Sequence, residues 1–181
     1  MSNKSQTAVA PFAIERPAIR CEAMTAATRS DAEALLGEFL RRDPHYLASS
    51  DVYGDGGAQA LTRALHLFLA RPEIGFVWLA LPAAGESSGH AKAIGACVVC
   101  YAISTARGAI VAKLDDVTID SRWQARGVGA AMLAALADHL RALGVSRIDS
   151  SCHRENVDAW RFYERLGFKA LDEERIALLL D

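Results

Sequence analysis

The stretch Gln124-Ala125-Arg126-Gly127-Val128-Gly129-Ala130 is the part of this chain whose residue types and spacing speak most directly of chemistry. Before it runs a strand-like segment, Ala109 to Ile119. After it runs an apolar-striped segment, Ala130 to Leu143, that reads as a helix stopping at Gly144. A glycine-bearing turn between strand and helix aims several backbone N–H groups at one spot, at the positive end of a helix dipole. That is a seat for a phosphate or pyrophosphate. The same Gly-x-Gly spacing also occurs in plain tight connections, so the surrounding chain has to decide.

A second spacing invites a metal or redox reading: Cys97-x-x-Cys100. It falls inside the strand-like run Ile94 to Ile103, where residues three apart face opposite sides of a sheet, so the two sulfurs diverge. No second Cys/His pair stands at zinc spacing. The four cysteines therefore read as small buried hydrophobes, and no metal is expected.

The elements that must position the loop follow from periodicity. Ala18 to Met24 reads as a first strand. A helix then starts near Ser30, a candidate N-cap, and Ala32, Leu35, Leu36, Phe39 and Leu40 recur at helical spacing until Asp43-Pro44. A glycine-rich loop, Asp51 to Gly57, leads to a second helix carrying Leu61, Leu65, Phe68 and Leu69. Strands follow at Gly75 to Leu81, Ala93 to Ser104 and Ala109 to Ile119, the first two joined by the polar tip Gly85 to His90. The third helix carries the stripe Val128, Met132, Leu133, Leu136, Leu140 and Leu143, with His139 at its edge. Val145 to Cys152 completes a βαβ unit, and Asn156 fits the N-cap of a last helix closed by Gly167. A final strand is expected near Ile176 to Leu180.

These elements make one α/β domain over residues 18–181, in the order β-α-α-β-β-β-α-β-α-β, preceded by a disordered leader at 1–17. Bulk properties agree. At 181 residues, with 51% hydrophobic and 23% charged residues and a net charge of −2, the composition is globular. It suggests no nucleic-acid or membrane partner, and a cytoplasmic location is the default.

Two motifs in register with these elements carry a resemblance. Gln124-x-x-Gly127-x-Gly129-Ala130 resembles the acyl-CoA motif of the GCN5-related N-acetyltransferases (GNAT family). Asn156-x-x-Ala159-x-x-Phe162-Tyr163-x-x-x-Gly167-Phe168 is similar to that family's second motif. The likeness covers about Ala18 to Leu180. The chain departs at Ser121, where the family more often has proline, and at Ala125, where many members carry glycine. Neither change removes an amide that phosphates would need.

The resemblance implies a GNAT fold, a mixed sheet of about six to seven strands with flanking helices. It also implies acetyl-CoA-dependent transfer to a primary amine of a small molecule, polyamine or amino-acid-like, in a homodimer. Gln124, Ala125, Arg126, Gly127, Val128, Gly129 and Ala130 would hold the pyrophosphate, with Arg122 or Arg126 available to its charge. Val117, Thr118 and Ile119 would pair with the pantetheine arm as if it were a strand, an amide near Val117 or Thr118 serving as oxyanion donor. Asn156, Ala159 and Phe162 belong to the second cofactor motif.

Tyr163 stands at the family's usual acid position, though an aromatic there can also simply pack. Asp115 and Asp116 resemble an acidic pair of the polyamine acetyltransferase branch. Alternation places Asp115 with Val117 and Ile119, and Asp116 on the other face. Asp115 acting through water is the favoured base; alternatively one aspartate attracts a cationic amine while the other pairs with an arginine. Ser151 stands where N-terminal acetyltransferases often carry a carboxylate, which disfavours a protein N-terminus as acceptor. His153 could replace that base or be structural. His45, Tyr46, Tyr53 and Asp55, in the loop between the first two helices, are candidate acceptor contacts. A catalytically degenerate acyl-CoA sensor and a peptide N-acetyltransferase are the competing readings.

Overall fold

The computed structural model describes residues 18–43, 57–83 and 91–171. Five strands, β1 (Ile19–Ala23), β2 (Gly75–Pro82), β3 (Gly95–Ser104), β4 (Ala109–Ile119) and β5 (Ile148–Ser150), form one sheet in sequence order. β1 to β4 pair antiparallel, and β5 joins β4 in parallel. Among the described residues four helices flank them: α1 (Arg29–Arg42), α2 (Gly57–Ala70), α3 (Val128–Ala142) and α4 (Val157–Arg165). Over the described residues, from β1 to α4, the element order is the expected one. The strand number is five among the described residues, not six to seven. The final strand expected near Ile176 to Leu180, the leader at 1–17 and the tip Gly85 to His90 lie outside those residues.

The sheet separates two cores. On one face Met24, Ala32, Leu35, Leu36 and Leu65 meet Val77, Leu79, Leu81 and Ala96. On the other, Trp78, Ala80, Cys97, Val99, Ala112 and Leu114 meet Val128, Met132, Leu133, Leu136 and Leu140 of α3. β2 feeds both cores, which is why its sequence is a continuous apolar run and not an alternating one. The Trp78 indole N–H donates to Met132 O at 3.3 Å, so this large ring is buried without an orphaned donor. Truncating a fully enclosed residue such as Leu79, Met132 or Leu136 to alanine would cost about 2–5 kcal/mol.

Local boundaries moved for identifiable reasons. Thr28, not Ser30, precedes α1, because a turn from Thr25 to Thr28 winds the chain early; Thr28 makes no side-chain cap and its hydroxyl instead accepts from Thr25 N at 2.9 Å. α3 begins at Val128, ahead of the expected Ala130, because Gly127 turns the chain at φ 79°. β5 is confined to Ile148–Ser150 within the expected Val145 to Cys152, since Val145 is drawn back onto α3 by a bond from its N–H to Leu140 O. His139 is not a mere edge residue: it stacks on Trp78 at 4.8 Å and meets Phe76 edge-on at 5.6 Å.

The largest departure lies in β4. Ala96 pairs with Thr118, yet Val98 pairs with Asp115, so β4 holds one extra residue opposite Cys97. Asp116 takes a left-handed φ of 50° there. This β-bulge resets the alternation. Asp115 consequently shares the face of Val98, on the α1/α2 side, whereas Val117 and Ile119 pack against the α3 core. The expectation that Asp115 sits with Val117 and Ile119 is corrected by that single inserted residue.

Candidate active site

Beyond Ile119 the chain makes a short 3-10 turn, Ser121–Trp123, capped by Asp120, whose carboxylate accepts from Arg122 N at 3.0 Å. The Arg122 guanidinium grips the same carboxylate at 3.1 and 2.7 Å. Those bonds hold the Asp120 carboxyl below the usual carboxylate range. Arg122 is thus committed to bracing the turn, while Arg126 lies over the Trp123 ring with its guanidinium carbon 5.5 Å from the centroid. The Gln124 amide donates to Ile119 O at 3.0 Å, tying the loop back to the strand.

Ala125 and Gly127 are both left-handed, at φ 56° and 79°, and curl the loop into the start of α3. Gly127 offers no side chain to cap that helix. The first-turn amides of α3 therefore carry the positive end of a four-turn dipole without a built-in anion. Gly129 is needed for a different reason: a Cβ there would stand 3.3 Å from the Phe162 ring and 3.6 Å from Ile119. The glycine lets α4 close over the loop, so Phe162, Gly129 and Ile119 meet at one point.

Helix α4 starts as its residues predict. Asn156 caps it, its side-chain oxygen accepting from Ala159 N at 3.0 Å. His153 lies exposed in the turn before it, where its carbonyl accepts from Asn156 N at 3.0 Å and from the Trp160 indole at 3.1 Å. Tyr163 packs half-buried between Phe162 and Phe168, with ring centroids 5.3 and 5.1 Å away. Burial raises its pKa above the ordinary phenol value; the nearby Ser150 hydroxyl opposes that, and Cys152, Cys97 and Asp115 add to it. Tyr163 accordingly keeps its phenol proton at physiological pH.

Between loop and tyrosine lies an open edge. β5 pairs with β4 only from Ala112 to Leu114. From Asp115 to Ile119 the described residues supply β4 with no strand on that side, and the gap leads straight to the N-terminus of α3. Such an edge accepts an extended, amide-bearing chain by strand addition.

A profile of the acetyltransferase (GNAT) family matches residues 57–168. The chain belongs to that family. A spermine/spermidine N(1)-acetyltransferase of Bacillus subtilis (strain 168) is 44% identical to this GNAT chain over 57 residues, which are 31% of this chain and 38% of the relative. The match thus spans well under half of that relative's length. Among solved structures, glucosamine-6-phosphate N-acetyltransferase from Arabidopsis thaliana shares the fold with a TM-score of 0.62 at 18% identity, covering 90% of this chain and 99% of that one. AAC(6')-Iy, solved with a CoA-linked bisubstrate analogue, gives a TM-score of 0.62 at 15% identity over 90% and 97% of the two chains. At these identities the structures speak for the GNAT fold.

The GNAT chain brings together Gln124 to Ala130, Ile119 and Phe162 at the loop, and Tyr163 beside the open edge of β4. It separates Asp115 from Val117 across the sheet. Two neighbours went unread in the sequence. Lys113 pairs with Asp115 at 2.8 Å, a contact foreshadowed only by their i, i+2 spacing on one strand face. Ser150 bonds Leu114 O at 3.2 Å across the β4–β5 pairing, a contact that only the register of the two strands discloses. His45, Tyr46, Tyr53 and Asp55 lie outside the described residues.

Proposed function

We propose that this protein transfers an acetyl group from acetyl-CoA to a primary amine of a small molecule, by direct attack with both substrates bound. The observation that carries the reading is the continuity between the uncapped N-terminus of α3 and the open edge of β4, with the Tyr163 hydroxyl close by. The residues present suit the donor: first-turn amides for a pyrophosphate, an unpaired strand edge for the amide-bearing arm, and a neutral phenol. Bound there, acetyl-CoA would supply an activated acyl carbonyl.

The chain's own groups then divide the work. The amides of Val128, Gly129 and Ala130 anchor the phosphates, and an amide near Val117 or Thr118 polarises the carbonyl. The bulge at Asp116 turns the backbone at that place. Tyr163 gives its proton to the departing sulfur, breaking O–H and forming S–H. On the opposite sheet face, Asp115, held by Lys113, takes the amine's proton through water. The match to a spermine/spermidine acetyltransferase supports an amine acceptor. A homodimer in the cytoplasm belongs to the same proposal, on the family resemblance.

The test is thiol release from acetyl-CoA over polyamines, amino acids, aminoglycosides and short peptides. Turnover with at least one small amine is expected. Binding of CoA without any turnover would favour a sensor, and turnover confined to peptides would replace the acceptor class.

A further inference from the structure

We infer that the acceptor is an α-amino acid, its carboxylate held by Lys113 and its ammonium by Asp115, an inference that rests on the reading of the protein as a small-amine acetyltransferase. The core under α1 and α2 takes its sheet residues from β2 and β3 and, among the described residues, none from β4 or β5. On that side of β4 stand Lys113 and Asp115, set by the register opposite Cys100 and Val98. Parallel pairing places Asp149 of β5 beside Lys113, and Arg147 grips Asp149 at 2.6 and 2.8 Å. The patch alternates in sign along both strands, each aspartate matched by a cation. These four charges balance, so they do not gather a polycation. They offer a plus and a minus side by side.

The geometry sets the spacing of the ligand's own charges. Lys113 Nζ lies 2.8 Å from Asp115 Oδ2, so the two charged heads converge at one point. Their side chains are 41% and 26% exposed, within reach of a solute, and a part-exposed pair is cheap to open. A ligand that enters it exchanges one ion pair for two, provided that its ammonium and carboxylate stand as close as they do on a single carbon. A diamine competes with Lys113 for Asp115 and offers Lys113 nothing in return. Asp115 directly precedes the bulge residue Asp116 and opens the unpaired stretch of β4. The α-amine is thereby held against the edge where the acyl group would lie. There it loses one proton through water and Asp115, and its N–C bond forms as the thioester C–S bond breaks. Its second proton replaces the one that Tyr163 gives to the sulfur. The product has no ammonium, so Lys113 returns to Asp115 and the amide leaves.

The experiment measures kcat/KM by thiol release from acetyl-CoA for methionine, phenylalanine and lysine, each beside its carboxamide and its decarboxylated amine, and for γ-aminobutyrate. For at least one of the three, wild type is expected to favour the free acid about tenfold over both analogues, mostly through KM. γ-Aminobutyrate, with its charges further apart, should rank with the decarboxylated amines. Lys113→Met should bring the ratio of acid to carboxamide close to one, and Lys113→Arg should keep it. CoA affinity by calorimetry, within about twofold of wild type, shows that both variants are folded. A wild type that uses carboxamides or decarboxylated amines as well as the acids would overturn the inference, as would a preference for the acid that survives Lys113→Met. Loss of every activity in Lys113→Met with CoA bound normally would give Lys113 a different role and overturn it too. Turnover of polyamines but of no amino acid leaves the small-amine reading standing and removes this one. No turnover of any small amine removes both.

Discussion

Helices α3 and α4 begin in opposite ways, although both lead into the same site. α4 is closed by its own Asn156, whose side chain satisfies the Ala159 amide. α3 begins at left-handed Gly127, with no side chain to do so. A helix that caps itself is free to contribute a side chain, and α4 contributes Tyr163. A helix left uncapped contributes its backbone, and α3 offers amides to an anion. Under the proposed function the two helices divide proton transfer from phosphate binding, and each half should be breakable without the other.

Removing the side-chain half should have the largest effect. Tyr163→Phe is expected to lower kcat about a thousandfold while CoA affinity, measured by calorimetry, stays within about twofold. The pH profile checks the same group. Because burial raises the Tyr163 pKa, the acid stays protonated through neutrality, and the rate should fall only as pH climbs above about 10, the ordinary phenol value. A loss of rate setting in below that value would contradict the assignment.

The backbone half comes next. Gly127→Asp keeps a residue that tolerates left-handed backbone but places a carboxylate where the pyrophosphate belongs, so CoA should bind about thirtyfold more weakly. Its counterpart, Asn156→Ala, removes a side chain whose oxygen is engaged by the Ala159 amide. Thermal or denaturant unfolding should show a loss of about 1 kcal/mol, with CoA affinity within about twofold. Comparable losses of CoA binding in both variants would erase the distinction between the helices.

The smallest effect is expected at Ala125, left-handed without being glycine. Ala125→Gly relieves about 1 kcal/mol of backbone strain and returns a similar amount as unfolded-chain entropy. Stability should change by less than about 0.5 kcal/mol, measured by denaturant unfolding.

What the residues disclosed in advance, and what they did not, divides along a physical line. The loop, both helices and the order of elements rest on local signals: glycine at 127, asparagine at 156, apolar stripes at helical spacing. The bulge is a pairing event between distant strands. Nothing in Leu114 to Ile119 signals that Cys97 will face two residues, and a left-handed Asp116 is legible only once β3 lies alongside. The faces of Asp115 and Val117 were therefore misassigned although the strand itself was found. His139 and Ser150 were underread for the same reason, since a stack on Trp78 and a bond to Leu114 O are made across the fold.

Calorimetric titration of CoA and of pantetheine, which lacks the pyrophosphate, into wild type and Gly127→Asp tests the central claim most directly. The account predicts that wild type binds CoA far more tightly than pantetheine and that Gly127→Asp erases most of that difference. Wild type failing to bind CoA, or Gly127→Asp binding it as tightly as wild type, would contradict the assignment of the α3 N-terminus as the phosphate seat.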